Sequence, residues 1–240
     1  MDTARVIDNL VNWIREKNKE AGTEGLILGL SGGIDSALVA TLADKACPGK
    51  VLGVIMPCHS QKEDMEHARL LAEHLGIDYL IVDLSGIYDQ YLSLVGFNSS
   101  DNQTMAASNI KPRLRMITLY YQAQQRKYLV LGTGNRTELE MGYFTKYGDG
   151  GVDLLPIGGL VKNQVRELSR SLGVPQVIID KPPSAGLWQG QTDEEEIGLT
   201  YEEMDKYILT GEARSEVKEK MDRLHRIGLH KLSMPPIGKY

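Results

Sequence analysis

The stretch LILGLSGGIDSALVATLADKAC (residues 26–47) decides which fold class this sequence can adopt. It begins with five residues that are apolar except for one glycine, which predicts a buried β-strand over residues 26–30. It then turns through two adjacent glycines, and the apolar spacing beyond them predicts a helix over residues 36–47. A buried strand that leads through a glycine-rich turn into a helix is typical of a parallel α/β sheet.

The rest of the chain continues this alternation of strands and helices. Apolar spacing predicts further helices over residues 3–19, 61–75, 112–127 and 162–172, and short apolar runs predict strands over residues 51–56, 79–82, 128–131 and 177–179. Residues 144–159 and 181–198 have no clear period and are predicted to be irregular, and two or three helices follow them. The predicted fold class is α/β, with a doubly wound, mostly parallel sheet and helices on both faces. Residues 1–240 contain no internal repeat or linker and are predicted to form a single domain.

Length and composition limit the classes of protein to which this chain can belong. The chain has 240 residues, of which 42% are hydrophobic and 25% are charged, with a formal net charge of -5. Because the chain has no excess of basic residues, its charge gives no reason to expect a nucleic-acid partner. No segment approaches the ~18 consecutive apolar residues of a membrane span. Two cysteines are too few for a disulfide framework, and the polar N-terminus has no signal-peptide core. These features predict a cytoplasmic protein.

Three polar or glycine-rich segments follow predicted strands, after Leu30, after Leu131 and after Ile179. In an open parallel sheet, ligands bind beyond the carboxyl ends of the strands, near the point where the strand order reverses. These three segments are therefore the predicted site.

The segment Ser31-Gly32-Gly33-Ile34-Asp35-Ser36 has the chemistry of a phosphate-binding loop. Its glycines let the backbone pass close to an anion, and the amides at the start of the next helix favour negative charge. Asp35 is a poor phosphate contact unless a cation lies between them, so the loop predicts Mg²⁺. The lysine and the spacing of a Walker A motif are missing. The alternative is a strand–helix turn that Ser36 merely caps.

This segment resembles the pyrophosphate-binding loop of the ATP pyrophosphatase superfamily, whose members split ATP into AMP and pyrophosphate. Further motifs follow in order: GTGNRTE (132–138), GYFTKYGDGGVDLLP (142–156), GLVKNQV (159–165), KPPSA (181–185) and QTDE (191–194). In this order and spacing they resemble the NAD synthetase family, and the resemblance extends from the N-terminal helix to His230-Lys231. It implies an adenine nucleotide alpha hydrolase-like fold.

The resemblance also implies a role for each residue that matches a family motif. The ATP-binding residues would be Gly29, Leu30, Ser31, Gly32, Gly33, Ile34, Asp35, Ser36, Thr133, Lys162 and Ser184. Deamido-NAD would be bound by Arg113, Lys146, Asp153, His230 and Lys231. Asp35 and Glu138 would hold Mg²⁺, and Asp35 and Lys162 would also serve catalysis. The chain departs from the family pattern at Ser184, which replaces threonine, and at Arg136-Thr137, which replaces Lys-Ser.

The implied reaction is the ATP-dependent amidation of deamido-NAD to NAD through an acyl-adenylate, with release of AMP and pyrophosphate. Glutamine-dependent relatives carry an N-terminal glutaminase domain, whereas the phosphate loop here begins at residue 31. The predicted nitrogen donor is therefore free ammonia, with supply by a separate glutaminase subunit as the alternative. The family also builds its deamido-NAD site across a two-fold interface, which predicts a homodimer. Apolar area for it is offered on the predicted helix 112–127 by Leu114, Ile117, Tyr120 and Tyr121.

Asp149 is predicted to serve the ammonia step as a catalytic residue. Only neutral ammonia is a nucleophile, and an ionised carboxylate can capture ammonium and accept a proton from it. The flanking glycines would let the loop close over the intermediate. The alternative is that Asp149 only shapes a glycine-rich turn.

Two other functions share parts of this pattern. Another ATP pyrophosphatase, which amidates a base or modifies tRNA, would have the loop but lack GYFTKYGDG and KPPSA. A non-catalytic adenine-nucleotide-binding protein would be expected to lose Asp35, Glu138 or Lys162, and all three are present. A metal site at His67 and His74, seven residues apart, lacks a third ligand, so this pair is predicted to face solvent.

Overall fold

The computed structural model of the protein describes residues 1–97, 105–184, 186, 190 and 192–238. Its elements are, in chain order, α1 (Thr3–Glu20), β1 (Gly25–Gly29), α2 (Ile34–Ala46), β2 (Val51–Ile55), α3 (Lys62–Leu75), β3 (Asp78–Ile81), α4 (Ser85–Leu94), α5 (Met105–Ser108), α6 (Ile110–Arg126), β4 (Tyr128–Leu131), α7 (Arg136–Met141), α8 (Lys162–Ser171), α9 (Gln176–Ile179), α10 (Asp193–Ile197), α11 (Tyr201–Thr210) and α12 (Ser215–Gly228). A short 3₁₀ turn, Leu229–Lys231, follows α12. Within the described ranges, every helix is too short or too polar to span a bilayer.

The four strands form one parallel sheet in the order β3-β2-β1-β4. Leu26 of β1 lies opposite Val51 on one side and Leu129 on the other. The chain leaves β1 toward β2 and β3, and later returns to the opposite side of β1 to form β4. The strand order therefore reverses between β1 and β4, and a ligand crevice is expected at their carboxyl ends.

Successive residues of β1 are buried on opposite faces of the sheet. Leu26 and Leu28 pack into the core shared with α1, α2, α3, α8 and α9, while Ile27 packs into the core shared with α6. All three side chains are fully buried, as a strand covered on both sides requires. The predicted α/β fold with helices on both faces is confirmed.

A third apolar cluster joins α7, α11 and α12 and sets the position of the C-terminal turn. A Cβ at Gly228 would lie 2.7 Å from the Cα of Gly142, so two glycines are needed for α12 to approach the end of α7 this closely. The approach brings Lys231 next to the same segment, where its Nζ donates to the carbonyls of Gly142 (2.8 Å) and Phe144 (2.9 Å).

Some predicted elements were wrong. Residues 177–179 form part of α9 and not a strand, because Pro175 starts a helical turn in which the Ile178 amide bonds the Pro175 carbonyl (2.9 Å). The run Val177–Ile179 is short and apolar, a pattern that fits a buried helix as well as a strand. Helix α4 was not predicted, and α10 lies within the stretch that was expected to be irregular. Ala185 and Gln191 of the predicted motifs lie outside the described residues.

Candidate active site

The phosphate loop runs from the end of β1 into the first turn of α2. Gly32 has a φ of +76°, and a Cβ there would lie 2.3 Å from the carbonyl oxygen of Asp64, so only glycine fits. Serine hydroxyls hold the turn, since the Ser31 amide donates to Ser36 Oγ (3.3 Å) and this hydroxyl donates to the Gly33 carbonyl (2.9 Å). The turn thus places the amino end of a 13-residue helix at the edge of the sheet, where an anion is favoured.

Lys162 connects the two carboxylates that were predicted to bind metal. It is the first residue of α8 and is 1% exposed, and its Nζ contacts Asp35 Oδ2 and lies 3.6 Å from Glu138 Oε1. Asp35 lies in the first turn of α2 and Glu138 in the first turn of α7. The amino ends of three helices therefore meet at one ion cluster, in which the buried cation is compensated by two carboxylates.

Asn135 orients both carboxylates. Its side chain is fully buried, and its Nδ2 donates to Asp35 Oδ1 (3.0 Å). Its backbone amide donates to Glu138 Oε2 and its Oδ1 accepts from the Glu138 amide, each at 3.0 Å. No role was predicted for Asn135, although an asparagine three residues before a glutamate is the sequence signal of a capping box at a helix start.

Burial and repulsion between the carboxylates determine the charge of this cluster. Burial, and then the negative charge of Asp35, raises the pKa of Glu138 to about 8 although Lys162 opposes the rise. Burial alone would lower the pKa of Lys162, but Asp35 and Glu138 outweigh it and raise this pKa to about 12. The lysine therefore stays protonated, while the second carboxylate is only partly compensated.

The donor set fits a magnesium ion. Mg²⁺ takes oxygen ligands and is usually bound through one or two carboxylates together with phosphate oxygens and water. Asp35 and Glu138 supply two carboxylates beside the phosphate loop, and Glu138 would regain its ordinary acidity next to a divalent cation. No group of three or more His, Cys, Asp and Glu side chains converges as a metal site in the described part of the chain. The remaining ligands would therefore come from substrate and water.

A cleft of about 1370 Å³ opens over the phosphate loop and the Lys162 cluster. Its walls include Thr133 after β4, Ser184 from the segment after α9, Asp149 and Lys231. The structure therefore brings together the predicted ATP-binding and metal-binding residues, as well as two residues predicted to act on the second substrate. The cleft lies at the reversal of strand order, where ligands bind in sheets of this kind.

Four residues predicted to bind deamido-NAD do not line this cleft: Arg113, Lys146, Asp153 and His230. Arg113 Nη2 donates to the Lys146 carbonyl (3.3 Å), and Lys146 Nζ donates to the His230 carbonyl (2.6 Å). Asp153 accepts bonds from the Tyr120 hydroxyl (3.0 Å) and the Val130 amide (2.8 Å). Arg113, Lys146 and His230 thus form a separate group beside α6, and Asp153 ties the following loop to β4.

Asp149 opens into the cleft from a tightly packed turn. The side chain of Asp149 is open to solvent on the cleft side. Because protein lies around it on the other sides, its carboxylate is less well hydrated, and this raises the pKa of the carboxyl. The Thr145 amide donates to Oδ1 (2.9 Å) and opposes the rise. A Cβ at Gly150 would lie 2.5 Å from the Phe144 ring. In this structure the flanking glycine therefore allows close packing of the turn.

Arg115, rather than Arg113, is the arginine of α6 that faces the cleft. Its Nε donates to the Met56 carbonyl (3.2 Å) and its Nη2 to Ser60 Oγ (3.4 Å), so it is fixed against the segment that follows β2. Residues two apart on a helix point in nearly opposite directions, so only one of the two arginines can face the site. Helical periodicity alone does not show which of the two faces it.

The prediction that His67 and His74 face solvent is wrong for His67. His67 is 8% exposed and lines the cleft, whereas His74, in the last turn of α3, is exposed. The difference arises because the amino-terminal half of α3 packs against the phosphate loop, with the Asp64 carbonyl beside Gly32. Spacing along a helix shows which residues share a face but not how far its packing extends.

A parallel sheet that reverses order at the cleft, a glycine-rich loop at a helix start and a lysine between two carboxylates define an α/β nucleotide-binding protein. Its fold is of the adenine nucleotide alpha hydrolase type. A family model described as NAD synthase matches residues 6–232. The chain therefore belongs to the NAD synthase family.

Individual relatives agree with this assignment. An NH(3)-dependent NAD(+) synthetase from Carboxydothermus hydrogenoformans is 55% identical over 231 residues, which are 96% of this chain and 95% of the relative. Two solved structures match over the full length of both chains. An NMN synthetase from Francisella tularensis has 39% identity and a TM-score of 0.94, and an NH3-dependent NAD synthetase from Campylobacter jejuni has 32% identity and a TM-score of 0.81.

Proposed function

We propose that this chain converts deamido-NAD to NAD, using ATP and ammonia and releasing AMP and pyrophosphate. The observation that carries the proposal is the cluster of Lys162, Asp35 and Glu138 beside a phosphate loop, at the floor of a large cleft, in a member of the NAD synthase family. The names of the curated relatives support the same activity.

The chemistry of amide formation explains why ATP is needed. An ionised carboxylate does not react with ammonia, because its carbon is not electrophilic and oxide is a poor leaving group. The carboxylate oxygen therefore attacks the α-phosphorus of ATP, which forms the acyl-adenylate and breaks the bond to pyrophosphate. The nitrogen of ammonia then attacks the acyl carbon, AMP leaves with the bonding electrons, and the nitrogen loses a proton.

The first step requires two anions to be held together. The loop amides at the start of α2 and the ammonium of Lys162 would reduce the repulsion between the triphosphate and the attacking carboxylate. Asp35 and Glu138 would hold Mg²⁺, which supplies positive charge against the phosphate oxygens when it is bound. Because three helix starts fix these groups before substrate arrives, little reorganisation is needed at the moment of reaction.

The nitrogen donor is tested directly by supplying each candidate. With ATP, Mg²⁺ and deamido-NAD, ammonium should support NAD and AMP formation, whereas glutamine freed of ammonia should give next to none. The curated relatives, described as NH(3)-dependent and matched over 94% or more of their length, support this expectation. Chromatography of both products measures it, and comparable rates with the two donors would contradict the proposal.

The deamido form of NMN is a second candidate substrate, because the structure with the TM-score of 0.94 is that of an NMN synthetase. The two substrates share the pyridine carboxylate that reacts and differ in the adenylate half of the dinucleotide. If deamido-NAD is the substrate, its kcat/KM should exceed that of the mononucleotide by about tenfold or more, since contacts to the extra half stabilise the transition state. The opposite ratio would assign the mononucleotide.

We also propose that the active form is a homodimer built on α4 and α6. Ile117 and Tyr121 are exposed one turn apart on α6, which packs beside α4. On α4 and just after it, Ile87, Tyr91, Leu94 and Val95 are exposed. A two-fold axis through this surface would cover it in both copies. It would also bring the second copy close to Arg113, which lies on α6 outside the cleft.

Light scattering of active enzyme should give twice the chain mass, and Ile117→Glu should shift it toward the chain mass because a charge would be buried at the interface. Lys218→Glu, which changes the charge of an exposed residue near the start of α12, is the control. A monomer mass for the active wild-type enzyme would refute the dimer.

The predicted cytoplasmic location and the lack of a nucleic-acid partner stay predictions.

A further inference from the structure

Asp205 is a buried carboxylate that is not part of the ion cluster but touches its supports. It lies on α11, and the residue is 2% exposed. Its Oδ1 accepts the Thr137 hydroxyl (2.6 Å) and the Lys162 amide (3.3 Å), and its Oδ2 accepts the Asn163 amide (2.7 Å). A buried carboxylate destabilises the fold unless hydrogen-bond donors compensate it. These three donors must therefore stay at the Asp205 carboxylate whenever the protein is folded.

These donors belong to the two helices that carry the site. Thr137 precedes Glu138 in the first turn of α7, and Lys162 and Asn163 are the first residues of α8. The residue before α8 is Val161, whose side chain cannot accept from the free amides at the helix start. Asp205 accepts from the Lys162 and Asn163 amides from a different helix, and the Thr137 hydroxyl that it binds also accepts from the Lys162 amide (3.3 Å). The negative charge of Asp205 lies at the positive end of the α8 dipole.

A second residue of α11 acts on the other end of Lys162. Tyr201, four residues before Asp205 and therefore on the same helical face, has its ring centre 4.9 Å from Lys162 Nζ. The ring is fully buried, and its hydroxyl donates to Asp193 Oδ2 (2.8 Å). Helix α11 thus contacts the backbone of Lys162 through one side chain and the ammonium through another.

We propose that Asp205 is a positioning residue, which sets the places of Lys162 and Glu138 relative to Asp35 by joining the starts of α7 and α8. The proposal rests on the proposed function, because it assigns to the three-residue cluster the activation of the pyridine carboxylate. If the proposal is right, loss of Asp205 lowers the reaction rate because Lys162 is misplaced, and not because the fold is less stable.

The variant Asp205→Asn tests this. One of its side-chain atoms becomes a donor, and in either orientation it faces a backbone amide, that of Lys162 or that of Asn163, which also donates. We expect kcat for pyrophosphate release to fall about 10- to 100-fold, the range seen when a partner that orients a functional ligand is lost, with a much smaller change in KM for deamido-NAD. Hydrogen exchange of the Lys162 and Asn163 amides should accelerate. Asp222→Asn, which alters the exposed bond from the Tyr207 hydroxyl of α11 to Asp222 of α12 without touching Thr137, Lys162 or Asn163, is the matched control and should change neither quantity.

Variants at Thr137 keep the test valid if Asp205→Asn does not fold. Thr137→Val removes only the hydroxyl and should lower kcat in the same direction, while Thr137→Ser keeps the hydroxyl and should retain most of the wild-type kcat. In a Lys162→Ala background, Asp205→Asn should have little further effect on kcat, because the two residues act as a unit. An unchanged kcat in folded Asp205→Asn and Thr137→Val, or a full additional loss in the Lys162→Ala background, would overturn the proposal.

Failure of the proposed function would look different. In that case wild-type enzyme would form no AMP with either pyridine nucleotide. The affinity for MgATP, measured by calorimetry without a pyridine nucleotide, and the amide exchange rates would still report on Asp205. Weakened MgATP binding together with faster exchange in Asp205→Asn supports its positioning role, and wild-type values of both would refute it.

Discussion

The variant Asp35→Asn is expected to fold normally and to lose about a thousandfold or more of its adenylation rate. Asp35 accepts from the Lys162 ammonium and the Asn135 side chain, whereas the bonds that hold the phosphate loop run between Ser31, Gly33 and Ser36. Asparagine keeps the size of the side chain but removes the charge that would bind Mg²⁺. A thousandfold loss corresponds to about 4 kcal/mol of transition-state stabilisation, the scale of a metal's electrostatic contribution.

Pyrophosphate release from ATP and deamido-NAD, followed before ammonium is added, measures this step alone. Asp8→Asn makes the same change of charge on the exposed face of α1 and should release pyrophosphate at the wild-type rate. A thermal melt of both variants separates loss of the site from loss of the fold. Wild-type-like release from folded Asp35→Asn would remove the metal-binding role from this residue.

The phosphate loop and the layers around it could be predicted because they depend on local sequence. The apolar residues of β1, the glycines of the turn and the spacing of α2 lie within about twenty positions, and each restricts the backbone independently. The general rule that ligands bind beyond the carboxyl ends of parallel strands then gave the place of the site, although the strand order itself was not predicted. For the same reason the predicted loop residues and Thr133 do meet at one cleft.

Contacts between distant segments could not be predicted in this way. Asp205 bonds Thr137 across 68 positions and Asn163 across 42, and its sequence context is that of an ordinary amphipathic helix. Arg115 was not chosen over Arg113 because the choice depends on which face of α6 meets the segment after β2.

Residues 177–179 were predicted as a strand because a short apolar run cannot distinguish a buried strand from one buried helical turn.

Asp149 presents a charge to the cleft and also holds its own turn, and the variant Asp149→Asn separates these roles. The Thr145 amide bonds Oδ1, and asparagine can keep that acceptor while it loses the negative charge. Asp149→Ala removes both the acceptor and the charge. If the carboxylate captures ammonium and accepts its proton, Asp149→Asn should still release pyrophosphate but form NAD about a hundredfold more slowly.

The pH dependence of the ammonia step follows from the raised pKa of Asp149. A carboxyl whose pKa is raised by burial is ionised only above a higher pH than an ordinary aspartate. The wild-type ammonia step should therefore be present above this raised pKa and be lost as the pH falls through it. The total ammonium is adjusted at each pH to keep the concentration of neutral ammonia constant, so that the supply of nucleophile does not cause the change. In Asp149→Asn this acidic loss should disappear, because the titrating group is gone.

Rescue distinguishes the charge of Asp149 from the shape of its turn. Higher ammonium, or a higher pH at fixed total ammonium, raises the concentration of neutral ammonia and should partly restore NAD formation in Asp149→Asn, since the nucleophile then no longer needs a base in the cleft. We expect this variant to keep the backbone of the turn, because its side-chain oxygen can still accept from the Thr145 amide. Asp149→Ala should be rescued less, because its turn loses the Thr145 bond. Equal loss of both half-reactions in Asp149→Asn, with no rescue by ammonium, would mean that Asp149 shapes the turn or serves ATP.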